Sequence, residues 1–301
     1  MKSSAKHFVL FLFLLQGIAC AAMPADPGIV FAGCTPGDGE VRKMLSIPGQ
    51  PTVDFIRWNL VLQNNQEFVL DISYGESKPN TLALKSDSIH RTIIGTYRTD
   101  HTPVKTAFRE VVELKSKDGS VQLRLVKVTD NLFHILTTDL QLMVGNGGWS
   151  FQLNRRSPVP VQEFYMSSGV VDDTSRRMVF DGRTPCRQIS AEHPEMNTSN
   201  ACFKLKWQLV LERDPVTLQP GKYTFRKIID NEPHHVTGRW IVQKGVGSLK
   251  GSVIYTLDPD DPATSMSFFV GDHNVLIFLD KQFKPYPGNE HFSVALNRRT
   301  E

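Results

Sequence analysis

In FKLKWQLVL, Phe203, Leu205, Trp207, Leu209 and Leu211 alternate with Lys204, Lys206 and Gln208. A period of two puts the first set on a buried face and the second in solvent, which marks a half-buried strand. The same alternation runs through FVLDIS (Phe68–Ser73), VVELK (Val111–Lys115), VQLRLVK (Val121–Lys127) and LFHIL (Leu132–Leu136). It returns in KYTFRKI (Lys222–Ile228), GRWIVQ (Gly238–Gln243), SVIYTL (Ser252–Leu257), SMSFFV (Ser265–Val270) and VLIFLD (Val275–Asp280). The turn signals KDGS, LDPDDP and PYPGNE separate these runs. No segment sustains a helical period. Many short strands at this spacing predict an all-β meander, a sandwich or a barrel. Closure would remove the exposed edges that invite aggregation.

The strands come in two sets because the chain repeats itself. VFAGCTPG (Val30–Gly37) returns as VFDGRTPC (Val179–Cys186), an offset of 149, and the same offset lays IRWNLVL (Ile56–Leu62) on LKWQLVL (Leu205–Leu211). Further along the offset is 143. There WSFQLNRR (Trp149–Arg156) meets FSVALNRR (Phe292–Arg299), Gly145-Asn146 meets Gly288-Asn289, and Tyr97 meets Trp240 in a Gly-x-aromatic site. Ordered matches of this kind mark a tandem duplication. We divide the chain into a leader (1–22), a first barrel (23–156), a linker (157–176) and a second barrel (177–301). The linker is rich in Pro and Ser, with Glu163–Met166 as a candidate extra strand.

Composition adds compartment and excludes some functions. The 301 residues are 40% hydrophobic and carry a formal net charge of +3, with Lys2 and Lys6 in the leader. The rest is close to neutral, which leaves no electrostatic footprint for nucleic acid. Val9–Leu15 is an apolar run too short to span a bilayer, between a basic start and the small residues GIACAA. This reads as an export signal, cleaved after Ala21 or processed to leave a lipidated Cys20. Membrane attachment would run only through that lipidated cysteine. The expected location is the periplasm, the outer membrane or the cell surface. Four cysteines are present, and export favours disulfides. Without Cys20 there remain Cys34, Cys186 and Cys202, so at least one is unpaired within a monomer.

The Gly-x-Thr-Pro-Cys phrase, the aliphatic strand after it, the Gly-x-Trp and the Leu-Asp before a Gly-Asn turn resemble the N-terminal domain of the NlpE copper-resistance lipoproteins. Tandem chains of this kind look similar to exported proteins of Bacteroidetes-type envelopes. The resemblance covers both copies and implies two tandem antiparallel lipocalin-like β-barrels of about seven to eight strands each. It also brings a Cys-x-x-Cys metal or redox motif. Here Cys186 holds the first position but Ile189 the second, and the first copy has Gly37 and Glu40. The motif is therefore absent from both copies, and copper binding is not carried over.

Cys186 and Cys202 lie 16 apart around a loop. They suit a loop-closing disulfide, or two thiolates on a soft metal. Their counterparts, Gly37 and Val53, are both lost together, as a paired role predicts. Cys34 reads as a buried inert thiol. His234-His235 reads as a solvated turn, since neighbours on a strand face apart. LDPDDP reads as a turn rather than a calcium loop. Trp58, Tyr97, Trp207 and Trp240 point inward, either as the floor of a ligand cup or as core. No hydrolase, nucleotide or zinc-protease motif appears. The expectation is a non-enzymatic envelope binding or sensing module, without a cofactor, that recognises a small apolar ligand or a protein partner. Two alternatives are metal resistance or envelope-stress sensing, as the resemblance implies, and a structural or adhesion role.

Overall fold

The computed structural model describes residues 28–49, 52–79, 81–101, 107–168 and 173–299. The leader and Cys20 lie outside the described residues. The first copy contributes eight strands: β1 (Ile29–Pro36), β2 (Phe55–Leu62), β3 (Glu67–Gly75), β4 (Ile89–Asp100), β5 (Val111–Ser116), β6 (Gln122–Thr129), β7 (Leu132–Ile135) and β8 (Gln152–Arg155). Each pairs antiparallel with the next, and β8 returns to β1 through Ala32 opposite Asn154. The second copy repeats the circuit: β9 (Arg177–Pro185), β10 (Lys204–Arg213), β11 (Pro220–Ile229), β12 (Glu232–Lys244), β13 (Val253–Leu257), β14 (Met266–Val270), β15 (Val275–Leu279) and β16 (Ala295–Arg298). There Asn297 opposite Asp181 completes the closure. The protein is thus all-β, with two closed eight-stranded antiparallel barrels.

Alternation sets what fills them. Trp58, Leu60 and Leu62 on β2, and Trp207, Leu209 and Leu211 on β10, are buried while their neighbours are half-exposed. The Gly-x-aromatic sites have a packing cause. A Cβ on Gly95 would lie 2.6 Å from the Phe68 ring, and one on Gly238 would lie 2.7 Å from Tyr223. Each glycine faces that aromatic residue across the strand pair. The aromatic ring therefore covers the backbone of its glycine partner, an arrangement that pins register.

Two short helices, α1 (Gly39–Met44) and α2 (Arg187–Glu192), follow the opening strands. At six residues each they are too short to show a period. Val41, Met44 and Leu45 join the first core, and Ile189 joins the second. The copies secure these loops differently. Asp38 caps α1, accepting hydrogen bonds from the amides of Glu40 and Val41. Gly37 packs against Val53 so tightly that a Cβ would lie 2.4 Å from the Val53 carbonyl. At the equivalent pair, Cys186 and Cys202 form a disulfide with Cα atoms 5.9 Å apart. One copy closes the loop by contact, the other by a covalent bond.

One expectation needs correction. His234 and His235 are not in a turn. They lie in β12, opposite Lys227 and Arg226. The turn is Asp230-Asn231, both at positive φ. A two-residue turn of that hand lets pairing resume at once, at Glu232. In the linker, the candidate strand Glu163–Met166 pairs at one position. Met166 makes a single bridge to Phe108, and Phe164 packs on Phe269 with ring centroids 5.5 Å apart. Both linker side chains are buried, and they help to weld the outer wall of the first barrel to the second.

Candidate functional site

The four inward aromatic residues sit at well-satisfied positions. Trp58 Nε1 donates to Thr35 Oγ1 and Trp207 Nε1 to Thr184 Oγ1, each at 2.8 Å. These are the same bond in the two copies, from the same Thr-Pro phrase. Trp240 Nε1 donates to the Glu212 carbonyl, and the hydroxyl of Tyr97 to the Gln63 carbonyl, both at 2.9 Å. Trp207 also stacks with Phe225 and tilts against Phe278, with centroids 5.0 and 5.1 Å away. Trp58, Trp207 and Trp240 are packed as core, while Tyr97 is half-buried. The structure brings none of the four together around one cavity. Cys186 and Cys202 are joined to each other, so neither sulfur is a thiolate free to bind metal. Among the described residues, no group of three or more His, Cys, Asp or Glu could hold a metal ion.

Tyr97 lines a cleft of about 730 Å³ on the face of the first barrel, and a second cleft lies between the barrels, where the repeated motifs build it. Asn154 and Asn297 are equivalent residues of the two Leu-Asn-Arg-Arg runs, both buried. Asn154 Nδ2 donates to the Asn289 carbonyl of the other barrel at 3.0 Å. Asn297 Oδ1 accepts from the Gly145 amide at 2.8 Å and from Ser150 Oγ at 3.3 Å. Each barrel's asparagine thus grips the Gly-Asn turn of the other. Gly145 and Gly288 permit the approach: a Cβ on Gly288 would lie 2.2 Å from Asn154 Oδ1. The junction is therefore pseudo-two-fold, and it sets two equivalent groups of residues beneath the opposing turns.

The two sides have diverged. On one, the Asn146–Trp149 turn overhangs the outer face of β9, β10 and β11 and encloses about 420 Å³. Asn146 Oδ1 holds this turn by accepting from the amides of Gly148 and Trp149. Beneath it Arg183 stands directly opposite Lys206, and Asp181, Gln208 and Arg226 form the neighbouring rung of the same face. Arg299 adds a fourth cation to the lining, 3.8 Å from Asp181. Like charges directly opposite on a sheet repel. Burial lowers the pKa of the Arg183 guanidinium. Burial, then Arg183 and Lys206, hold the neighbouring Lys204 below its ordinary pKa. Trp149 stacks on Phe55 at 4.8 Å, and the Arg183 guanidinium lies 5.8 Å from its ring centroid. Its indole N–H is buried without an acceptor.

No family model, no curated protein and no solved structure matches this chain.

The other side of the junction uses the same positions with different chemistry. Cys34 replaces Arg183, Arg57 replaces Lys206, Phe292 replaces Trp149 and, by register, Asp71 replaces Arg226. Cys34 is 4% exposed and donates from Sγ to the Glu290 carbonyl at 3.4 Å. Burial pushes its pKa up to about 12, so it is a protonated, unreactive thiol. Arg57 donates to the Leu82 carbonyl. Asp71 accepts from Thr92 Oγ1 at 2.6 Å. Glu290 lies 3.8 Å from Arg156. Charges on this side are matched or tied to backbone. Sequence reasoning passed over Arg183, Lys206, Arg226 and Trp149. The one signal for them was the Cys34-to-Arg183 difference within the repeated phrase.

Proposed function

We propose that this is a non-enzymatic, exported binding protein of the cell envelope that recognises its ligand at the junction between the barrels. The observation that carries this reading is the contrast between interior and junction. Trp58, Trp207 and Trp240 are consumed by packing and hydrogen bonds inside the barrels. The cleft under the Asn146–Trp149 turn has about 420 Å³ of space, within the usual range for ligand sites, and draws its walls from both barrels. The disulfide supports an oxidising compartment. Native mass spectrometry of protein purified from its host would detect a retained small molecule. Hydrogen exchange before and after its removal locates it. Protection at Asn146–Trp149 and along β9 and β10 is the expected result. Protection at Trp58, Leu70 and Leu114 inside the first barrel, or at Trp207, Phe225 and Phe268 inside the second, would overturn the reading.

A further inference from the structure

We propose that the cleft between the barrels is an anion site, which takes the oxyanion head of a small multivalent acid, a phosphate or a polycarboxylate. The inference rests on the reading of the cleft as the recognition site and adds its chemistry. Four cations line it, Arg183, Lys206, Arg226 and Arg299, against one carboxylate, Asp181. Asp181 is already engaged, accepting from Gln208 Nε2 at 3.1 Å and lying near Arg299. Among the described residues, no carboxylate comes within ion-pair distance of Arg183, Lys206 or Arg226. Crowding like charges on adjacent strands is unfavourable unless something neutralises them. An oxyanion bound there would do so through charge-assisted hydrogen bonds, for which the planar guanidinium fork is well matched. Trp149 lines the cleft beside them, with its indole N–H buried and unpartnered.

The duplication provides an internal control. The equivalent side of the junction has the same strand pairing, the same asparagine exchange and the same capped turn, with Asn289 Oδ1 accepting from the amides of His291 and Phe292. Yet it exchanges two of the cations for Cys34 and Asp71 and loses the indole N–H at Phe292. Three of these differences, Arg183 for Cys34, Arg226 for Asp71 and Trp149 for Phe292, favour an anion on the second copy's side, while Lys206 for Arg57 keeps the charge and Asp181 for Ala32 adds one carboxylate. Fold alone demands none of them, since the first copy folds without them.

The test is calorimetric titration of the full mature chain with inorganic phosphate and, separately, with citrate, at 50 and 500 mM NaCl. We expect saturable binding of one anion per chain, weakened several-fold at high salt by screening. The better-bound probe separates a phosphate head from a carboxylate one. Arg183→Gln and Arg226→Asp are each expected to weaken binding at least tenfold, and Trp149→Phe by less. Arg57→Gln, on the other side of the junction, is expected to leave it unchanged. Lys206→Gln takes the place of any variant whose circular dichroism shows a folding defect. Equal loss in Arg57→Gln and Arg183→Gln, or no saturable binding of either probe by 10 mM, a ceiling of about −3 kcal/mol, would overturn the inference. If both probes fail while a host-derived ligand still protects Asn146–Trp149, only the anion chemistry falls. If that protection lies inside a barrel, the recognition site itself falls.

Discussion

His134 should make the first barrel sensitive to acid. It is fully buried on β7, with Nε2 bonded to the Met143 carbonyl at 2.8 Å and Nδ1 without a partner. The proton of the neutral ring therefore sits on Nε2. Protonating Nδ1 would place both a charge and an unmatched N–H in an apolar core. Burial lowers the pKa to about 4 from an ordinary 6.5, opposed only by the bond to Met143. Because the folded pKa lies below the unfolded one, the unfolded chain binds the proton first as pH falls. The stability is present in full above about pH 6.5 and lost as pH drops toward 4. Linkage gives a loss of about 2 kcal/mol by pH 5 and about 3 by pH 4. Two variants isolate the effect. His134→Gln keeps a donor for Met143, and His134→Ile copies Ile277, the equivalent residue of the second barrel. Either shifts stability by an amount independent of pH, so the slope is the decisive quantity. Denaturant unfolding from pH 7.5 to 4.5 should show a wild-type slope that flattens in both variants. The His134 ring resonance should titrate near pH 4. Parallel curves for wild type and variants, or titration near 6.5, would refute the reasoning.

The remaining expectations concern the repeat. Cys186→Ser opens a 16-residue loop and should cost about 3 kcal/mol in the second barrel by loop entropy. On a chain lacking the leader, a thiol assay should find one free thiol after unfolding and none before, because Cys34 is buried. Thr184→Val orphans the Trp207 N–H and should destabilise by about 1–3 kcal/mol in denaturant melts, with Thr35→Val acting alike in the first barrel. Asn297→Ala removes the acceptor of the Gly145 amide. Its exchange rate should rise well before either barrel loses circular dichroism.

Much of the architecture was readable because it is written as alternation. Leu205, Trp207, Leu209 and Leu211 repeat every second residue, and nothing else accounts for that spacing. β4 was harder, because its inward positions include Arg91 and Gly95. Arg91 reaches over to donate to the Leu45 and Ser46 carbonyls, and Phe68 fills the place left by Gly95. Pattern reading counts side chains, and here the packing group belongs to another strand. The disulfide was legible by comparing copies, since Gly37 and Val53 stand where Cys186 and Cys202 do. The cleft was not legible. Arg183, Lys206 and Arg226 are 43 residues apart from first to last. Each is an ordinary outward residue on its own strand, and Trp149 reaches them only because Asn297 draws the preceding turn across.

The duplication separates two kinds of position that a single barrel would confound. Where the copies agree, the reason found is structural: Thr35 and Thr184 each hold a tryptophan, Asn154 and Asn297 each hold the opposite turn, and Gly95 and Gly238 each lie under an aromatic ring. Where they disagree at the junction, both alternatives are compatible with the same backbone, so the fold does not choose between them. Cys34 and Arg183 show this most sharply. They hold the same place on the opening strand and both face the partner barrel. One closes its side with a buried thiol against the Glu290 carbonyl, and the other leaves a cation beneath Trp149. A cation that costs desolvation and repels its neighbours persists when something outside the fold repays it. This is why the search for a ligand should begin at Arg183 and not at the tryptophans of the barrel cores.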